Sequence, residues 1–450
     1  MATNPGTGSR TGRAARGGVA ALSAVLLVAA CSGGGGPRAA QEAEESAAPL
    51  AATYEGPEVT LQFWNGFTGA DGPFMQSLVD EFNTEHDNIT VAMESQAWAE
   101  YYESVPAAVS TGNGPHIGAM HVDQVATYAA RNVLSSVDDV AEVLALEEDA
   151  FAPAVWQAGL YDDRRYSVPL DVHPIGFFYN RTLMEQAGLD PENPPQDRES
   201  YEAALDAFQE AGIQGHWVSP YAPGARMFES LAKQFGAELY SEDGEQATWD
   251  SPEALEALEW MLGLVEEGHS PPDVANPAEA IAFQNGENPF YWGGIWMINT
   301  FAPETDLDWG VAPLPVIGEE QAVFAGSHQL VLLERQEWTP DERQASAVFI
   351  DWVVDNSLGW AEGGQVPAAA EVRESPEFAA LPHVPVFASE LEDTFFPPSL
   401  PGIAESQTIL WTALNEVLLG DRDPQEALEE SARAANEALE RSREQFATAE

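Results

Sequence analysis

Residues 59–93 read VTLQFWNGFTGADGPFMQSLVDEFNTEHDNITVAM, and their periodicity changes twice. Val59, Leu61 and Phe63 alternate with Thr60, Gln62 and Trp64, which is the period of a strand. A glycine-rich turn follows, and Pro73 stands at a favourable first-turn position of the next element. Phe74, Met75, Leu78, Val79 and Phe82 then recur at helical spacing, after which Ile89, Val91 and Met93 alternate again. Strand, helix and strand over about 35 residues make a βαβ unit, whose strands run parallel with a right-handed crossover.

The same theme extends outward. A helix over 98–110 stops at the breaker Gly112-Asn113-Gly114-Pro115, and an apolar strand is predicted over 117–120. Residues 166–170 and 175–180 read as strands, and a helix from Arg181 stops at Gly188. Near the C-terminus, Asp423-Pro424 caps a helix whose Leu428, Ala432, Ala435 and Leu439 form a 4-3-4 stripe, suited to docking on its own domain. Alternating strands and helices predict an α/β fold, and no repeat of 20–50 residues is present. At about 100–200 residues per domain, the length predicts two or three domains.

The charge narrows the function. The 450 residues carry 74 Asp and Glu against 18 Lys and Arg, a formal charge of −56, with Lys233 the one lysine. Such a surface repels phosphate backbones and anionic head groups, which excludes non-specific nucleic-acid binding and membrane attachment through a basic patch. The acidity suits solubility, and it favours a neutral ligand over an anion, which would need a basic clamp from scarce arginines. With 44% hydrophobic residues there is ample material for a core.

Cys31 is the single cysteine, so an internal disulfide framework is excluded. It follows Arg10, Arg13 and Arg16 and the apolar run 19–30, which is shorter than the roughly 20 residues of a spanning helix but fits a signal peptide. Val28-Ala29-Ala30-Cys31 resembles a lipobox, whose cysteine is diacylated and becomes the mature N-terminus. The alternative is an ordinary secretory signal with an incidental cysteine. Residues 1–30 are therefore expected as a lipoprotein signal peptide and 31–57, rich in Gly, Ala, Glu and Pro, as a flexible tether. Cleavage before Cys31 removes three arginines and no acid, leaving the body more acidic still.

In open α/β sheets the ligand sits beyond the carboxyl ends of the strands. Those ends carry Asn65, Phe67 and Thr68; His121, Asp123 and Gln124; and Asp171 and His173. Residues 285–296 add Trp292 and Trp296 to a run of turn formers, and Gly326-Ser327-His328-Gln329 offers His328. Aromatic rings beside amides, hydroxyls and isolated carboxylates suit a sugar, whose C–H faces stack and whose hydroxyls need donors and acceptors. Phe67 and Trp292 serve equally well as core, and His121 and His328 as hydrogen-bonded structural histidines. His-Glu-x-x-His, cysteine-zinc and EF-hand patterns are absent. His116 and His121 suit a metal receptor, but an aromatic cleft fits that poorly; no metal and no cofactor is expected.

The order of segments resembles the family 1 extracellular solute-binding proteins, the sugar receptors of ABC importers typified by maltose-binding protein. The likeness runs through residues 59–64, Phe82-Asn83, 89–91, Ser110-Thr111-Gly112-Asn113-Gly114-Pro115, Tyr166-Ser167-Val168-Pro169-Leu170 and Phe178-Tyr179-Asn180. It continues through Trp309-Gly310-Val311-Ala312-Pro313-Leu314-Pro315 and Gly363-Gly364-Gln365-Val366-Pro367, covering nearly the whole body from about residue 58 to the end. The resemblance implies a two-lobed periplasmic-binding-protein fold of type II, with crossover hinge strands and a ligand cleft between the lobes. It implies an N-terminal lobe of 58–172 and 312–355, and a C-terminal lobe of 173–311 and 356–450. By position it implies Asn65, Phe67, Thr68, Asp123 and His173 as cleft residues, with His121 close by, and Tyr221 and Trp296 as stacking rings. The chain departs from the family at His116 and His173, each in place of a carboxylate, and at Asp163-Arg164 in place of Asp-Gly.

Together with the lipobox and the acidic charge, the resemblance implies a monomeric, lipid-anchored receptor at the outer face of the cytoplasmic membrane, passing a neutral sugar to an ABC permease. It implies no catalytic residues. The alternative is an exported glycan-active hydrolase, which needs two carboxylates across the sugar. In so acidic a chain, adjacent acid pairs occur by composition, and Gly-x-Ser-x-Gly is absent.

Overall fold

Alternation of apolar and polar side chains sets the first strand, β1 (Val59–Asn65), with Leu61, Phe63 and Asn65 buried and Thr60 and Gln62 exposed. The computed structural model describes residues 50–446. Helix Gly72–Glu85 buries Met75, Leu78, Val79 and Phe82 and leads to β2 (Ile89–Ser95), which pairs in parallel with β1. Helix Trp98–Ser110 ends before Gly112, whose φ of +73° is the left-handed turn that favours glycine. β3 (Ile117–His121) then lies parallel to β1 on its other side. β4 (Leu134–Ser135) and the hairpin of β5 (Leu160–Tyr161) and β6 (Arg164–Arg165) precede β7 (Ser167–Pro169).

After Leu170 the chain crosses to a second sheet. Its spine is β8 (Asp171–Asn180), buried along its whole length, with Ile175, Phe177, Phe178 and Tyr179 in its apolar half. Three strands, β9 (Phe290–Gly294), β10 (Trp309–Ala312) and β11 (Val323–Gly326), pair antiparallel with it. The chain then returns through Ser327 to β12 (His328–Leu333), which inserts between β3 and β4 of the first sheet. β13 (Val366–Pro367) pairs with β8, and β14 (Thr394–Phe395) with β11.

Each sheet has its own core. In the first lobe the Phe349 ring lies 5.5 Å from Phe63 and 5.0 Å from Phe82, which seats helix Pro340–Asp355 on β1. In the second, Phe177, Tyr201, Phe208 and Phe290 cluster behind β8. Helix Pro424–Phe446 docks there with Leu428, Ala432, Ala435 and Leu439 buried, and Trp249 donates to Ser431 Oγ at 3.0 Å. The expected βαβ unit and the C-terminal helix are thus both present.

Two expected boundaries move. Residues 312–326, placed by sequence with the first lobe, carry β11, which is hydrogen-bonded to β8 of the second sheet. The return crossing therefore falls at residues 326–328, because a short strand after a proline-rich loop carries no signal of which sheet it joins. Within the expected tether, Leu50 and Tyr54 pack against the first core, and Asn88 Nδ2 donates to the Tyr54 and Gly56 carbonyls at 3.3 and 3.1 Å. Cys31 and the signal segment lie outside the described residues.

Glu390 braces the second lobe by accepting the Leu314 N–H at 2.6 Å, while its other oxygen is buried without a partner. Burial pushes its carboxyl up to about 8 from an unfolded value of 4.5. A carboxyl raised in the folded state contributes stability in full below the unfolded value and loses it as pH rises to the folded one. Glu390→Gln keeps the acceptor and removes the titration. Urea unfolding at pH 5, 6.5 and 8 should show the variant gaining on the parent by up to about 1.4 kcal/mol per pH unit.

Candidate ligand-binding site

Strand register brings together three histidines that are far apart in sequence. His121 ends β3 and stands directly opposite His328, the first residue of β12. Gly326, the last residue of β11, stands opposite His173 on β8. Only Ser327 separates Gly326 from His328, so both lobes' strands deliver imidazoles to one place. The ring centroids of His121 and His173 lie 5.0 and 4.3 Å from that of His328.

Asp171 organises the group from beneath. Fully buried at the crossover, its Oδ1 accepts from His173 Nδ1 at 3.0 Å and from the His328 backbone N–H at 2.8 Å. Its Oδ2 accepts from His328 Nδ1 and from Trp360 Nε1, both at 2.7 Å. Burial alone would raise this carboxyl, but the His328 and His173 contacts outweigh it and hold it well below the usual carboxylate range. Burial first, and then His328, push the His173 imidazole down to about 4. His121 is pushed well down by the same causes, and its Nδ1 is 2.7 Å from the Tyr102 hydroxyl. Phe67 and Trp98 pack on the His328 ring, with Trp98 stacked at 10°.

His121 and His173 face a cleft of about 200 Å³, which Asp123, Arg226, Trp296, Gln407 and Trp411 also line. The Arg226 guanidinium lies 5.5 Å from the Trp296 ring centroid and 5.3 Å from that of Trp411. Among the described residues it has no hydrogen-bonded acceptor. Burial raises the neighbouring Glu229 to about 7, where Gln407 Nε2 donates to it at 3.3 Å, and burial also raises Asp123.

Of the residues singled out by sequence, His121, Asp123, His173 and Trp296 line this cleft, and His328 lies just behind it. The others sit elsewhere. Asn65 is buried and shapes its loop, its Oδ1 accepting from the Phe67 N–H at 3.1 Å and from Ser95 Oγ at 2.7 Å. Phe67 is wedged among Trp98, His328 and Trp360, so it acts on the site from behind. Thr68 is exposed on the loop, and Tyr221 is exposed at the N-cap of helix Ala222–Gln234. Trp292 is a core residue: both faces of β9 are covered, and alternation turns Trp292 toward Tyr201 and His216.

His116 is also structural. Its Nδ1 accepts the Gln62 N–H at 2.9 Å and its Nε2 lies 3.3 Å from Glu342 Oε1, tying β1 to helix Pro340–Asp355. Arg226 and Trp411 carried no sequence signal, because they lie inside amphipathic helices whose distance from the cleft is set by packing. Asp171 was visible only as an acid at a strand end.

The family model for bacterial extracellular solute-binding proteins matches residues 77–386, well over half of the chain. The sn-glycerol-3-phosphate-binding periplasmic protein of Shigella flexneri is 23% identical over 85% of this chain and 93% of its own length. The GacH receptor of Streptomyces glaucescens, solved unliganded and with acarbose, superposes with a TM-score of 0.77 at 21% identity, covering 86% of this chain and 99% of that one. The cyclic alpha-maltosyl-1,6-maltose binding protein of Arthrobacter globiformis gives 0.71 at 22% identity, over 86% and 100%. The fold is that of the two-lobed type II periplasmic binding proteins.

Removing the Asp171 carboxylate strands three buried side-chain donors and a backbone N–H. Asp171→Ala should therefore lower the unfolding free energy by roughly 3–5 kcal/mol, read from chemical denaturation at pH 7. A loss below about 1 kcal/mol would show that these donors find other acceptors.

Proposed function

The chain belongs to the bacterial extracellular solute-binding proteins, and from that membership we propose that it is a carbohydrate receptor feeding an ABC importer. The observation that carries the carbohydrate reading is the pair of rings, Trp296 and Trp411, flanking an Arg226 guanidinium that has no hydrogen-bonded acceptor among the described residues. Apolar sugar faces stack on such rings, while hydroxyls pair with Arg226, Asp123, Gln407, His121 and His173 around the same cleft. Asp123 and Glu229 stand close enough to interact with Arg226, so its charge is offset and a neutral sugar is favoured over an anion.

Closure of the two lobes on the sugar would present a surface for the permease. Family members bind solutes, and a receptor is preferred here to the glycan-active hydrolase. Diacylation at Cys31 would hold a monomeric receptor at the outer face of the membrane and raise its local concentration near the permease. No helix among the described residues is long and apolar enough to cross a membrane. The proposed contacts are Asp123, His121, His173 and Trp296, joined by Arg226, Gln407 and Trp411.

A thermal-shift screen of mono- and oligosaccharides, with sn-glycerol 3-phosphate beside them, should find a neutral sugar that raises the melting temperature. A response to the phosphate ester alone would replace the sugar with an anionic ligand. For the sugar found, calorimetry of Trp296→Ala should show affinity reduced at least tenfold, with the unliganded melting temperature unchanged. Equal affinity would remove Trp296 from the site.

A further inference from the structure

We propose that His121, His173 and His328 form a binding site for a divalent transition metal of the imidazole-preferring class, zinc or its neighbours nickel and cobalt. The proposal is independent of which solute the cleft carries. One ligand nitrogen from each ring lies within 4.8 Å of the other two. The three residues come from three strands, β3, β8 and β12, so their meeting is a product of tertiary structure rather than of local sequence.

The hydrogen bonds decide which nitrogens are free. An ionised Asp171 can only accept, so the His173 and His328 rings both donate through Nδ1. His121 Nδ1 is occupied by the Tyr102 hydroxyl, which also accepts the His121 backbone N–H at 2.9 Å. Among the described residues no hydrogen bond reaches Nε2 of any of the three. With Nδ1 of His173 and His328 donating to Asp171, their Nε2 lone pairs are free, and His121 supplies a third when its Nδ1–H donates to the Tyr102 hydroxyl. A cation among the three rings would take up these lone pairs. A carboxylate or hydroxyl that fixes the far nitrogen of a histidine is also the usual support of a metal ligand.

Space is kept for it. A Cβ on Gly326 would lie 2.3 Å from His173 Nε2, so glycine leaves that nitrogen uncovered. Zinc–nitrogen bonds of about 2.1 Å require donors about 3.4 Å apart, so the rings must draw together by about an ångström. His121 and His173 also line the cleft, so the remaining coordination position opens to it. Three neutral nitrogens disfavour calcium and magnesium, which take oxygen ligands. The net charge of −56 attracts cations in general, so the selectivity and not the attraction identifies the site.

The test uses the full chain stripped with EDTA, in buffer with millimolar calcium and magnesium to occupy surface carboxylates, and no sugar. Zinc chloride titrated in a calorimeter should bind with one equivalent per chain and raise the melting temperature. Cobalt(II) should give the visible absorption band of a four- or five-coordinate site, and zinc should abolish it; this measurement needs no variant. His121→Gln should weaken zinc binding at least tenfold, and Asp171→Asn by about ten- to a hundredfold. Zinc binding that calcium suppresses, or that is unchanged in His121→Gln with no cobalt band in the parent, would overturn the proposal. Because no sugar is present, failure here leaves the carbohydrate reading untouched.

Discussion

A single buried carboxylate ties together the crossover strands that link the two sheets. Asp171 accepts four hydrogen bonds from His173, His328 and Trp360, and nothing of it reaches solvent. A charge without water is tolerable only when its lone pairs are saturated, so each donor is obligatory rather than opportunistic. The outgoing crossover contributes Asp171 and His173, the returning one His328, and helix Leu358–Glu362 contributes Trp360.

The same carboxylate connects fold to chemistry. By accepting from two Nδ1 atoms it sets the tautomer of two histidines and directs their other nitrogens away from itself. Phe67 and Trp98, packed on His328, limit its rotation. The cleft-lining His173 is thus held from behind by Asp171, with His328 fixed between Asp171, Phe67 and Trp98.

The cleft also shows how little net charge says about a binding site. The chain is strongly acidic, yet the cleft carries Arg226 between two tryptophans, with Asp123 and Glu229 nearby at raised pKa. Burial, not composition, sets the local balance: the surface acids are screened by water, whereas one guanidinium in a desolvated cleft acts at full strength on its neighbours. Arginines are scarce here, and the exclusion of a basic clamp drawn from that scarcity has to allow for this one residue.

Much of the fold was legible because periodicity is a local property. The switch from period two to helical spacing over 59–93 reports burial of one face, and it marked β1, helix Gly72–Glu85 and β2 before any contact was known. Strand ends were equally readable, which is why His121, Asp123 and His173 could be singled out from sequence, while Trp296 came from a turn and the family resemblance; all four line the cleft. The assignment of β11 to the second sheet, the burial of Trp292 and the approach of Arg226 and Trp411 depend on how elements pack, and no local pattern encodes that. The convergence of His121, His173 and His328 is the clearest case. Sequence placed each near a strand end, but only the antiparallel register of β12 on β3 and of β11 on β8 brings them together. Hydrogen bonds between strands distant along the chain set that register, and they exist only once the chain has folded.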